Sequence, residues 1–121
     1  MDALLDRLYA TIPSTTIVLS TLVPNGLDGV QPRVDAINAQ YREIVRARRL
    51  KKQRIVIADM AGSITLTDLV DDMTHPNDWG YKKMAYVWWG AVRGAEREGF
   101  LQAPKEVKTF GGDGYGGGDS E

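Results

Sequence analysis

The residues of this chain best suited to chemistry lie in one stretch, Asp71-Asp72-Met73-Thr74-His75-Pro76-Asn77-Asp78-Trp79-Gly80-Tyr81. His75 is the only histidine among 121 residues, and imidazole is the side chain whose ordinary pKa suits proton transfer near neutrality. Asp72 stands three positions before it. In a turn, that spacing lets the carboxylate reach Nδ1–H, hold the tautomer and stabilise the imidazolium, leaving Nε2 free as a base. On spacing alone the default is plainer: a loop histidine with Asp71, Asp72 and Asp78 as solvated neighbours. A divalent-metal site is the third use of such residues. One histidine and no cysteine do not make a dedicated zinc set, so no metal is expected.

The flanking sequence says what must position this pair. Pro76 presets the backbone for the start of a helix, and Asn77 or Asp78 can cap its first turn. That helix is expected from about Asn77 to Glu98, carrying Met84, Ala85, Trp88 and Val92. Trp88 and Trp89 could form a sugar-stacking platform, but by default Trp88 belongs to the core and Trp89, about 100° round the helix, is partly exposed or covers the missing half. Upstream, residues 1–11 read as a short amphipathic helix with Leu4, Leu5, Leu8 and Tyr9 on one side and Asp2, Asp6 and Arg7 on the other. Thr15 to Leu22 is a continuous β-branched and aliphatic run, as in a strand buried on both faces. A loop with Pro24-Asn25-Gly26 leads to a helix from Gln31 to Leu50, on which Val34, Ile37, Tyr41, Ile44 and Val45 recur at helical spacing. Arg54 to Met60 is a second buried strand, and residues 61–76 a polar loop. Two strands joined by a helical crossover make a right-handed, parallel βαβ unit, hence an α/β fold. So thin a sheet leaves an edge open, and self-association through it is expected. Residues 99–121 form an irregular tail, with six glycines between 111 and 118, and are expected to be disordered.

Composition narrows the function classes. Hydrophobic residues make up 43% and charged residues 26%, with a net charge of −1, so no overall field favours nucleic acid or an anionic membrane. The N-terminus carries acids where a signal peptide would be basic, no apolar stretch approaches the roughly 20 residues of a bilayer span, and no address is legible. The stretch Arg46 to Arg54 holds six basic residues in nine. It reads as a nucleic-acid patch or, by default, as a solvated helix C-terminus complementing the macrodipole. No nucleic-acid or membrane partner is expected.

The extended pattern D-x-x-H-P-N-x-x-G-Y-x-x-M-A-x-x-W over residues 72–88 resembles the last sequence block of the SGNH/GDSL ester hydrolases, nearest in flavour to the microbial and fungal carbohydrate esterases. IVLSTLVPN (17–25), INAQYREIV (37–45) and RIVIADM (54–60) resemble the strand, helix and strand that come before that block. The resemblance covers residues 1–98. It implies a partial three-layer α/β/α, flavodoxin-like fold, hydrolysis of carboxylic esters such as acetyl groups on carbohydrate, no cofactor, and Asp72 and His75 as triad acid and base. It also implies a truncated chain, because the family's Gly-Asp-Ser nucleophile block and its oxyanion-hole blocks have no counterpart here. Gly118-Asp119-Ser120 spells that block without its strand and helix, and Ser14, Ser20 and Ser63 lack a nucleophile-elbow context. The alternative is a non-catalytic fragment or pseudoenzyme. Full-length relatives are often secreted.

Overall fold

The computed structural model describes residues 1–103. The Gly-rich segment and Gly118-Asp119-Ser120 lie outside the described residues. The element order is α1 (Asp2–Thr11), β1 (Ile17–Ser20), α2 (Gln31–Leu50), β2 (Ile55–Ala58) and α3 (Asp78–Arg97), with a short 3₁₀ turn, Leu66–Asp68, before α3. β1 and β2 pair in parallel with Ile17 opposite Ile55 and Ser20 opposite Ala58. α2 makes the crossover, as the sequence predicts. Pro32 sits in its first turn, where the missing N–H costs nothing.

Alternation along the strands sorts the layers. Leu19 and Ile55 pack with Leu5 of α1 and Val45 of α2, with Leu8, Ile17, Tyr41, Ile44 and Ile57 against them. On the opposite side, α3 lies along β2. The result is helix, sheet, helix.

The two edges of the sheet differ. The outer edge of β2 is bridged at one point: Arg49 Nη1 donates to the outward Ile55 carbonyl at 3.0 Å, while its Nη2 pairs with Glu98 at 2.7 Å, so one guanidinium ties α2 to the end of α3 across that edge. The outer edge of β1 is open. Ile17 and Thr21 donate toward β2, so Val18 and Ser20 present their backbone N–H and C=O outward, the usual invitation to another strand. This open side also explains why β1 is shorter and less buried than its sequence predicts. Leu19 alone of its four residues is buried.

Three further expectations change. Trp88 is 38% exposed, not packed in the core, because α3 turns Met84, Val87, Ala91 and Ala95 inward and Gly80 to the Asp68 loop, and packs chiefly on β2. The basic run is not simply a solvated helix end. Arg48 is buried, donating to Asp2 and Asp6 at 2.8 Å each and to Gln53, so the acids on the polar side of α1 hold that helix to α2. The loop 61–76 is not uniformly polar either: Ile64, Asp68, Leu69 and Pro76 are buried in it. Among the described residues no helix is long and apolar enough to cross a membrane.

Candidate active site

The loop carrying Asp72 and His75 is built from its base upward. Thr65 and Asp68 form a capping box around the 3₁₀ turn: the Asp68 carboxylate accepts the Thr65 N–H at 2.8 Å and the Thr65 hydroxyl at 3.0 Å. Lys83 Nζ, one turn into α3, donates to both oxygens of Asp68 at 2.8 and 2.7 Å. Asp68 is almost wholly buried, and these bonds, Lys83's first, hold its carboxyl below the usual range. Its backbone carbonyl accepts the Asn77 N–H at 2.8 Å. Asn77 in turn caps α3, its side chain accepting the Gly80 N–H at 2.9 Å and donating to the Thr67 carbonyl at 3.2 Å. Gly80 is required here: a Cβ would run into the Asp68 carbonyl and the Pro76 ring.

On this base Leu69 and Pro76 form an antiparallel bridge, and Val70 N–H donates to the His75 carbonyl at 2.8 Å, closing a tight turn over residues 70–75. Met73 at its tip has φ +57°, a left-handed conformation uncommon for a side chain of this kind. The turn faces the segment that leaves the C-terminal end of β1. Gly26 N–H donates to the Met73 carbonyl at 2.8 Å and Asn25 Nδ2 to Thr74 Oγ1 at 3.1 Å. Open α/β sheets place their sites at that end of the strands.

Asp72 does two things at once. Its Oδ1 accepts the backbone N–H groups of Thr74 (2.8 Å) and His75 (2.9 Å), while Oδ2 lies 2.6 Å from His75 Nδ1. The backbone bond from His75, then the ring and the Thr74 N–H, lower its pKa to about 2. An ionised carboxylate can only accept, so Nδ1 carries the proton, and in the neutral imidazole the lone pair is on Nε2. Both side chains are open to solvent, His75 at 69% and Asp72 at 49%, and among the described residues no hydrogen bond reaches Nε2. The two residues singled out in the sequence are brought together. Asp71 and Asp78 are not part of the contact, and among the described residues no three metal-ligating side chains cluster.

No described serine is hydrogen-bonded to His75. Ser20 spends its hydroxyl on the Thr21 carbonyl at 2.7 Å, the ordinary fate of a strand serine. Sequence reasoning missed Asp68 and Lys83 as supports of the loop, although Thr65-x-x-Asp68 has the capping-box form. It also missed the cluster in which Asp59, just past β2, accepts from Arg42 at 2.6 Å and Thr21 at 3.2 Å, joining both strand ends to α2.

In sequence the chain matches no protein-family model and no curated protein. Its structure is similar to that of a carbohydrate esterase family 3 protein from Talaromyces cellulolyticus, with a TM-score of 0.65 and 21% identity over 77% of this chain and 45% of that one. A Clostridium thermocellum family 3 carbohydrate esterase gives 0.64 and 17% identity, covering 79% of this chain and 46% of that one. An acetyl esterase mutant crystallised with an acetate ion gives 0.61 and 21% identity, covering 79% and 44%. These likenesses establish the fold alone, an α/β architecture shared with those esterase structures. The chain spans less than half the length of the structures it matches.

Proposed function

We propose that this chain supplies the acid–base half of a serine-type carboxylic ester hydrolase acting on acetylated carbohydrate. The observation that carries the reading is the 2.6 Å approach of Asp72 Oδ2 to His75 Nδ1, with Nε2 left unengaged at the end of the sheet where such sites lie. Asp72 orients the imidazole and stabilises its charged form. His75 Nε2 takes the proton from a serine hydroxyl as the oxygen attacks the ester carbonyl, then gives it to the departing sugar oxygen. In the second half Nε2 deprotonates a water that releases acetate and restores the serine. The serine and the donors for the oxyanion come, on this reading, from polypeptide seated against the open edge of β1. The esterase fold and the exposed Val18 and Ser20 backbone support it. A second reading, a non-catalytic fragment, is favoured by the engaged hydroxyl of Ser20 and by the absence of a serine bonded to His75 among the described residues.

The test compares p-nitrophenyl acetate turnover by this chain, by a chimera carrying the complementary half of the Talaromyces esterase, and by His75→Ala in each. The expected result is no turnover by the chain alone above its His75→Ala control, and turnover by the chimera that His75→Ala abolishes. Turnover by a folded chimera that persists in His75→Ala would refute the role of His75. A folded chimera with no turnover would favour the non-catalytic reading.

A further inference from the structure

Three large aromatic side chains stand in line on the outer face of α3. Trp79 is 56%, Tyr86 66% and Trp89 62% exposed. With Lys82 and Arg93 they occupy positions 79, 82, 86, 89 and 93, a three–four spacing that keeps one stripe in register along a helix. At about 100° per residue the stripe lies opposite Met84, Val87, Ala91 and Ala95, which face inward. It therefore stays on the outside if further strands join at β1. The stripe of Tyr81, Ala85, Trp88 and Val92 does not share that property, since it lies between the outer face and the sheet-facing side. Exposed aromatic surface of this extent is unusual on a domain with no use for it.

Two of the rings are held by cations. Lys82 Nζ lies 5.3 Å from the Trp79 ring centre and Arg93 Cζ 5.9 Å from that of Trp89. A ring steadied on one side loses less rotamer freedom when something stacks on the other. The line starts in the first turn of the helix, four residues after His75, and runs about 15 Å to Trp89.

We propose that Trp79, Tyr86 and Trp89 form a stacking track for a polysaccharide chain, leading it along α3 to the candidate site. Pyranose rings present flat C–H faces to aromatic faces and hydroxyls to flanking cations, which fits alternating rings and cations better than the other occupants of a helix face. A helix, from a second copy or another protein, would meet Lys82 and Arg93 in the middle of its seam, where cations are costly. An anionic membrane would find little charge, because Glu96 neutralises Arg93 at 2.9 Å. The delivery of an ester to His75 rests on the hydrolase reading. The binding does not.

The experiment is affinity electrophoresis and calorimetry of the full chain with soluble acetylated xylan, the same xylan deacetylated, and hydroxyethyl cellulose. Phosphatidylglycerol vesicles and sedimentation of the chain alone cover the other occupants. Binding to at least one polysaccharide is expected, weakened about tenfold or more in Tyr86→Ala/Trp89→Ala, with the circular dichroism of the fold unchanged. The binding measurement does not depend on turnover, so a failed hydrolase reading leaves this result standing. No binding to any of the three, equal binding by the double variant, or vesicle binding or self-association that needs the same two rings in place of polysaccharide binding would overturn the proposal.

Discussion

Asp68 and Asp72 stand four residues apart in one loop, each with a basic partner, and the loop uses them in opposite ways. Asp68 is 4% exposed and pairs with Lys83, itself 31% exposed, beneath the loop. Asp72 pairs with His75 at the top, in solvent. The lower pair ties the 3₁₀ turn to α3. The carboxylate is the buried member, and leaving its charge without these bonds would be costly. The upper pair holds little of the fold, but it fixes which imidazole nitrogen is free. Stability and the proposed chemistry thus fall to two carboxylates four residues apart, and substitutions can separate them.

The largest effect is expected where the two layers meet. Gly80→Val places a branched side chain against the Asp68 carbonyl and Pro76, and should destabilise the chain by about 3 kcal/mol or more in urea denaturation. The same change should abolish the NMR signature of the Asp72–His75 contact. Parental stability would show that α3 does not start against Asp68 in this way.

Next comes Asp68→Asn, which leaves the Lys83 cation without its charge partner and should lower Tm by roughly 10 °C. The pH dependence has a definite sign. The folded pKa of Asp68 is below its ordinary 3.8, chiefly through Lys83. Its contribution is therefore complete above that value and lost as pH falls through the lower folded value. Asp68→Asn should flatten that acid-side loss, and an unchanged acid profile would dissociate Asp68 from it.

Asp72→Asn should be the mildest for the fold and sharpest for the site. Tm should stay within about 3 °C of the parent, since both side chains are solvated and surface pairs contribute little. In the parent, the Asp72 carboxyl carbon should titrate at about 2, so the contact persists through neutral and mildly acid solution and weakens only as pH falls toward that value. A midpoint at the ordinary 3.8 would count against the contact. In an esterase-competent chimera the same change should lower kcat by on the order of 10³-fold or more, the expected result of losing the tautomer control.

The primary structure alone determined the order helix, strand, helix, strand, helix, because periodicity and β-branched runs are local properties of the chain. It also made the Asp72–His75 pair legible, since three residues of a turn can bring the two groups together, while the turn itself is held by Asp68, Lys83 and the Asn77 cap. Tertiary structure decided which apolar and charged residues were used. Trp88 has the spacing of a core residue, yet it is exposed because α3 packs chiefly on β2. Arg48 sits in a run that reads as solvated, yet it is buried because α1 brings Asp2 and Asp6 to it from more than forty positions away. The same holds for Asp68, whose partner arrives only when α3 folds back on the loop. In each case burial depends on a partner distant in sequence, and local pattern carries no record of where that partner comes to rest.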